Sequence, residues 1–123
     1  MINALAEYLE GKGYTNICTD FMPDVTNQRD CIYLGKWAHS VADINDGTGT
    51  QYIQIQVRRP TYAEALSVCS EIFKLLDSGL DEKIMHLTEA VWCIARPGRG
   101  PLLLDRGIGF ATFYYELALW GEN

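Results

Sequence analysis

Apolar residues at the start of the chain recur at intervals of three and four. Ile2, Leu5, Ala6 and Leu9 therefore share one face of a short helix, which Gly11 or Gly13 should stop. Residues 14 to 29 mix Tyr14, Ile17 and Phe21 with Asp20, Pro23, Asp24 and Asn27, the composition of a connector with one short extended piece around Tyr14 to Cys18. Cys31 to Trp37 is rich in residues that suit a pleated surface and predicts a strand. Asp43 to Thr50 holds Asn45, Asp46, Gly47 and Gly49, which tolerate positive φ, so it predicts a turn or exposed loop. Tyr52 to Arg58 alternates strictly, with Ile53, Ile55 and Val57 on one face and Gln54, Gln56 and Arg58 on the other. Pro60 ends that strand, and Thr61 with Glu64 forms a Thr-x-x-Glu capping box. The helix that follows carries a stripe of Tyr62, Leu66, Cys69, Phe73 and Leu76, and Gly79 should close it. The last third predicts two long strands, Leu87 to Ala95 and Gly109 to Trp120. Arg96 to Pro101 and the segment Leu102 to Arg106 separate them.

Helix, strand, strand, helix, strand, strand fits an α+β fold: a mixed or antiparallel sheet of about four strands with two helices packed on one face. In the final strand Ala111, Phe113, Tyr115, Leu117 and Leu119 alternate with Phe110, Thr112, Tyr114, Glu116, Ala118 and Trp120, so both faces carry apolar groups. Two helices cover only one of them. The other face, with Tyr114, Trp120 and Tyr52, is then partly apolar and exposed in a monomer, and such patches mark association.

Composition fits one domain spanning residues 1–123, since 48% of the residues are hydrophobic and 21% charged. Sixteen acids against ten Lys and Arg give a net charge of -6. That balance argues against a surface gripping nucleic acid, whose affinity comes from cations that neutralise phosphates. Cys18, Cys31, Cys69 and Cys93 lie too far apart for a zinc-ribbon spacing and are expected to be reduced and mostly buried. No secretory or transit signal fits the opening residues, and no apolar run approaches a membrane span.

Candidate chemistry is sparse. His39 and His86 are the two classical bases, and neither sits in a recognisable motif with a nucleophile and an orienting acid. An enzyme reading would use Cys31 or Cys93 with one of them. Asp43-x-x-Asp46-Gly resembles only the beginning of a calcium loop and lacks its terminal Glu. Asp77, Asp81 and Glu82 read as solvated acids of a turn. The Gly-rich stretch Pro97 to Gly109 matches neither phosphate-binding loop. No cofactor or metal is therefore expected. The same stretch does gather Arg96, Arg99, Asp105 and Arg106 beside Leu102 to Leu104, a mixture suited to docking, although the leucines could equally tuck into the core. Arg58 and Arg59 close the best strand, and either local pairing or a charged contact across a subunit boundary suits them.

Three pieces, in this order, resemble the tail terminator and tail completion proteins of long-tailed bacteriophages, also described as minor capsid or head-tail joining proteins. They are the opening helix with Leu5 and Leu9, the strand-to-helix unit from Ile53 to Leu66 continuing through Leu76, and Pro101-Leu-Leu-Leu-Asp-Arg-Gly107 leading into an aromatic strand. The resemblance implies a non-enzymatic virion protein, made in the host cytoplasm and placed at the head-tail junction. It would be a homo-oligomer, a ring of six copies that caps the tail tube protein and offers a surface to the head connector protein. DNA would pass through without specific binding, which the negative balance would favour. No membrane is involved. A ring uses heterologous contacts, and the expected interface residues are Arg58, Arg59, Asp46, Arg99, Asp105, Arg106, Tyr114 and Trp120. The alternative is a small interaction module that binds a partner protein through the exposed sheet face.

Overall fold

A computed structural model describes residues 2–36, 41–42, 48–76, 85–87, 91–95 and 100–122. Helix α1 (Ile2–Gly11) leads to strand β1 (Ile17–Cys18) and then to β2 (Cys31–Lys36), β3 (Val41–Ala42) and β4 (Thr48–Arg59). Helix α2 (Tyr62–Leu76) follows, and β5 (Met85–His86), β6 (Val91–Ala95), β7 (Leu102–Gly107) and β8 (Phe110–Glu122) complete the order. The architecture is α+β. Five strands have five residues or more, one beyond the expected four.

All eight strands join one sheet, in the order β1-β2-β4-β8-β6-β5, with β3 on β4 and β7 on β8. Only β1 and β2 pair in parallel, so the sheet is mixed. Its spine is β4 against β8, in register from Thr48 opposite Glu122 to Arg59 opposite Ala111. On the far side of β8, β6 faces Leu117 to Gly121 and β7 faces Phe110 to Tyr114. These two strands run the same way along one partner, β6 paired in turn with β5 and β7 with no further strand beside it among the described residues.

The alternation read in β4 and β8 places Ile53, Ile55 and Val57 beside Ala111, Phe113, Tyr115, Leu117 and Leu119, all buried. Both helices close over that one face. Leu5, Ala6 and Leu9 of α1 and Ala65, Cys69, Ile72 and Leu76 of α2 belong to the same core cluster as these strand residues, with Ile32 and Leu34 of β2. Fully burying an aliphatic side chain contributes roughly 1.5–3 kcal/mol, so this cluster dominates the stability of the domain. The Tyr115 hydroxyl donates to the Ile72 carbonyl at 3.4 Å, which satisfies the phenol where it enters the core.

Several expectations change. The helix start is as read, with the Glu64 amide donating to Thr61 Oγ1 at 3.2 Å. The buried stripe of α2 is instead rotated to Ala65, Cys69, Ile72 and Leu76. Leu66 and Phe73 pack at its margin, and Tyr62 is 42% exposed. Thr48–Thr50, expected in a loop, begin β4, where Val41 and Ala42 pair with Thr50 and Gly49. Of the strand expected over Leu87 to Ala95, Val91–Ala95 forms β6, Leu87 lies outside it and residues 88–90 lie outside the described residues, while Met85–His86, before that range, pairs antiparallel with β6 as β5. Leu102 to Arg106, read as a connector, is strand β7, because β8 offers it a free edge. Trp37, residues 43–47 and Gly79 lie outside the described residues.

Candidate functional site

Four of the eight expected interface residues converge at one end of the sheet. Arg59, Ala111 and Arg106 occupy one cross-strand row, and Arg58, Thr112 and Asp105 occupy the next. Tyr114, half-buried, lies further along β8, between Gln56 and Leu102. Trp120 belongs to the opposite end, in register with Thr50 and Trp92, and its side chain lies outside the described residues, as do Asp46 and Arg99.

Arg58 is not a free surface cation. It is 7% exposed because the connector between β1 and β2 crosses over it. Its Nη1 donates to the carbonyls of Pro23 at 2.5 Å and Gln28 at 3.2 Å, its Nε reaches Thr112 Oγ1 at 3.4 Å, and its guanidinium lies 5.8 Å from the Phe110 ring centre. The connector is shaped to meet it. Asp24 Oδ1 accepts from the amide and hydroxyl of Thr26, and the Asp24 carbonyl accepts from the amides of Asn27 and Gln28. The Thr26 bonds hold the Asp24 carboxyl below the usual carboxylate range. Arg59 pairs with Asp30 at 3.0 Å and donates to the Arg58 and Cys31 carbonyls. Of the two readings open for Arg58, these contacts match local pairing: its cation fastens the connector to the sheet within the chain.

The β7–β8 hairpin is the reverse case. All six residues of β7 are exposed, including Leu102 at 47%, Leu103 at 44% and Leu104 at 45%. Asp105 and Arg106 are exposed beside them. A bulge between Leu103 and Asp105 leaves Leu104 without a partner on β8. The two-residue turn places Ile108 at the tip, 95% exposed, and needs the positive φ of 77° that Gly109 supplies. Arg29 Nη1 donates to the Gly109 carbonyl at 3.4 Å. The Arg106 guanidinium stacks 5.1 Å from the Tyr62 ring centre, and Tyr62 meets the buried Phe113 edge-on at 5.0 Å. An exposed arginine is thus linked to the core through two aromatic rings. Sequence reasoning placed Tyr62 in the core stripe and missed this stack. The available signal was the run of three leucines, since consecutive strand positions point to opposite faces and one buried face could take only alternate ones.

At the other edge of the sheet, Ile17, Cys18, Thr19, Asp20, Phe21 and Pro23 line an open recess of about 330 Å³. Phe21 is 70% exposed there. A second recess, of about 430 Å³, contains Lys12, Tyr14, Glu71, Lys74 and Leu75. In it the Tyr14 hydroxyl donates to Glu71 Oε1. Desolvation, followed by that bond and the charge of Glu71, pushes the Tyr14 phenol up to about 12.

Among the described residues, no group of three or more His, Cys, Asp and Glu could hold a metal ion, and no helix is long and apolar enough to cross a membrane. Burial pushes the Cys69 thiol up to about 12 and raises that of Cys31, so both disfavour the thiolate that a nucleophile requires. His39 and the side chains of His86 and Cys93 lie outside the described residues. The exposed bases described are Lys12, Arg29, Lys74 and Arg106, and they are outnumbered by Glu7, Glu10, Asp20, Asp24, Asp30, Glu64, Glu71 and Asp105. No protein-family model and no curated protein matches the chain.

Proposed function

We propose that the chain is a structural virion protein of a long-tailed phage, a non-enzymatic subunit that caps the tail tube as a ring and presents the head-tail joining surface. The observation that carries this reading is strand β7, exposed along its whole length with three leucines on an edge that has no partner among the described residues. Natural proteins shorten, charge or cover such edges because they template association. An edge left apolar in the monomer is explained if a neighbour covers it.

The segments that carry the family resemblance also support the reading, since they are the framework of the fold. Leu5 and Leu9 anchor α1 in the core, Ile53 to Leu76 is the β4–α2 unit, and Pro101 to Gly107 is β7 feeding the aromatic strand β8. The excess of exposed acids suits a conduit through which DNA slides without adhering. Tail tubes prepared without the chain and then mixed with it test the reading. Negative-stain images should show ring-shaped density at one end of each tube, and tubes left bare at both ends at saturating protein would overturn it.

A further inference from the structure

The two apolar edge sites terminate the same rows of the sheet. One row runs Ile17, Ile32, Val57, Phe113, Leu103, and the adjacent one runs Cys18, Tyr33, Gln56, Tyr114, Leu102. Strands β1, β2 and β8 point one way and β4 and β7 the other. A second copy advanced along these rows brings its β1 beside β7 at the same level and antiparallel to it, the commoner mode of pairing. Four strand spacings, about 19 Å, separate the two edges within one copy, so no chain can satisfy its own.

The two edges also match in chemistry. Leu102 and Leu103 stand at the level of the recess formed by Ile17, Cys18 and Phe21. Both edges are apolar at this level, with Ile17 and Cys18 half-buried and Phe21 70% exposed on one edge and Leu102 and Leu103 exposed at 47% and 44% on the other. A contact between two different surfaces of one chain repeats head to tail and closes when its rotation permits.

We infer that the partner of β7 is the β1 edge of a second copy, with Leu102 and Leu103 docked at its Ile17–Phe21 recess. This rests on the ring reading and names the joint. Continued register sets Leu102 opposite Cys18 of the next copy on the same face of the sheet, close enough for a disulfide, whereas Leu103 faces the other way.

The test is oxidation of Leu102→Cys, both in concentrated solution and on tube ends, followed by non-reducing electrophoresis. A ladder extending beyond dimers, lost in Leu102→Cys with Cys18→Ser and absent from Leu103→Cys, is the expected result. Dimers that persist without Cys18 mean that β7 pairs with itself across a two-fold and overturn the joint. Rings on tube ends without a Cys18-dependent product overturn the joint and leave the ring. A chain that neither oligomerises nor binds tubes overturns both.

Discussion

Replacing Arg58 with Ala separates a structural cation from an interface cation. The guanidinium makes two close bonds to backbone carbonyls, at 2.5 and 3.2 Å, and a weaker one at 3.4 Å. A hydrogen bond with a charged partner contributes about 1.5–3 kcal/mol, so the two close bonds contribute roughly 3–6 kcal/mol. The contact with Phe110 adds about 0.5–1 kcal/mol. Removing the charge also removes the cost of desolvating it, and the half-exposed carbonyls of Pro23 and Gln28 regain water, so the net loss is roughly 2–4 kcal/mol. With a urea slope of about 2 kcal/mol/M, the midpoint should fall by about 1–2 M. Asp30→Ala, which removes only the exposed partner of the Arg59 ion pair, should cost about 0.5–1 kcal/mol. Urea denaturation with amide exchange over residues 21–30 reads both quantities. Equal losses in the two variants, with unchanged protection of residues 21–30, would refute the assignment of Arg58 to fastening the connector.

Within α2, Ile72→Ala should destabilise the domain by about 2–5 kcal/mol and Leu66→Ala by clearly less, because Ile72 is wholly buried and Leu66 is marginal; denaturation midpoints in the reverse order would contradict the rotated stripe. Tyr14 holds its proton up to about 12 when folded, against 10.0 for the free phenol. Its stabilising contribution is therefore complete below about pH 10 and lost as pH rises towards 12. Alkaline unfolding curves of the wild type and Tyr14→Phe should converge across that window, and parallel curves would count against the Tyr14–Glu71 bond. Native-state thiol labelling, mapped by peptide mass spectrometry, should modify Cys18 at least about tenfold faster than Cys31 or Cys69, both buried with raised thiols. Rapid labelling of Cys31 would revive the nucleophile reading.

The elements with strict periodicity were legible in the sequence. Ile53, Ile55 and Val57 alternate because one face of β4 is buried, and Thr61 with Glu64 marks a helix start by a local bond. What could not be read were properties set by distant partners. Leu102 to Leu104 are a strand only because β8 has an edge free beside Phe110 to Tyr114. The buried stripe of α2 runs through Ala65 and Ile72, and the burial of a residue as small as Ala65 is not revealed by the spacing of large residues. For Arg58 the sequence left local pairing and a subunit contact open, and its burial depends on a connector whose Asp24 turn folds back over it. Of the candidate interface, Asp105 and Arg106 were found for their charge, while Tyr62, Phe21 and Ile17 were missed because each read as an ordinary core or connector residue.

The central claim is that the chain ends the growth of a tail tube. Tail assembly with and without the chain, scored by electron microscopy for tube length, tests it most directly. The account predicts tubes of one length capped at one end when the chain is present and overlong, heterogeneous tubes when it is omitted. Identical length distributions in the two reactions would contradict it.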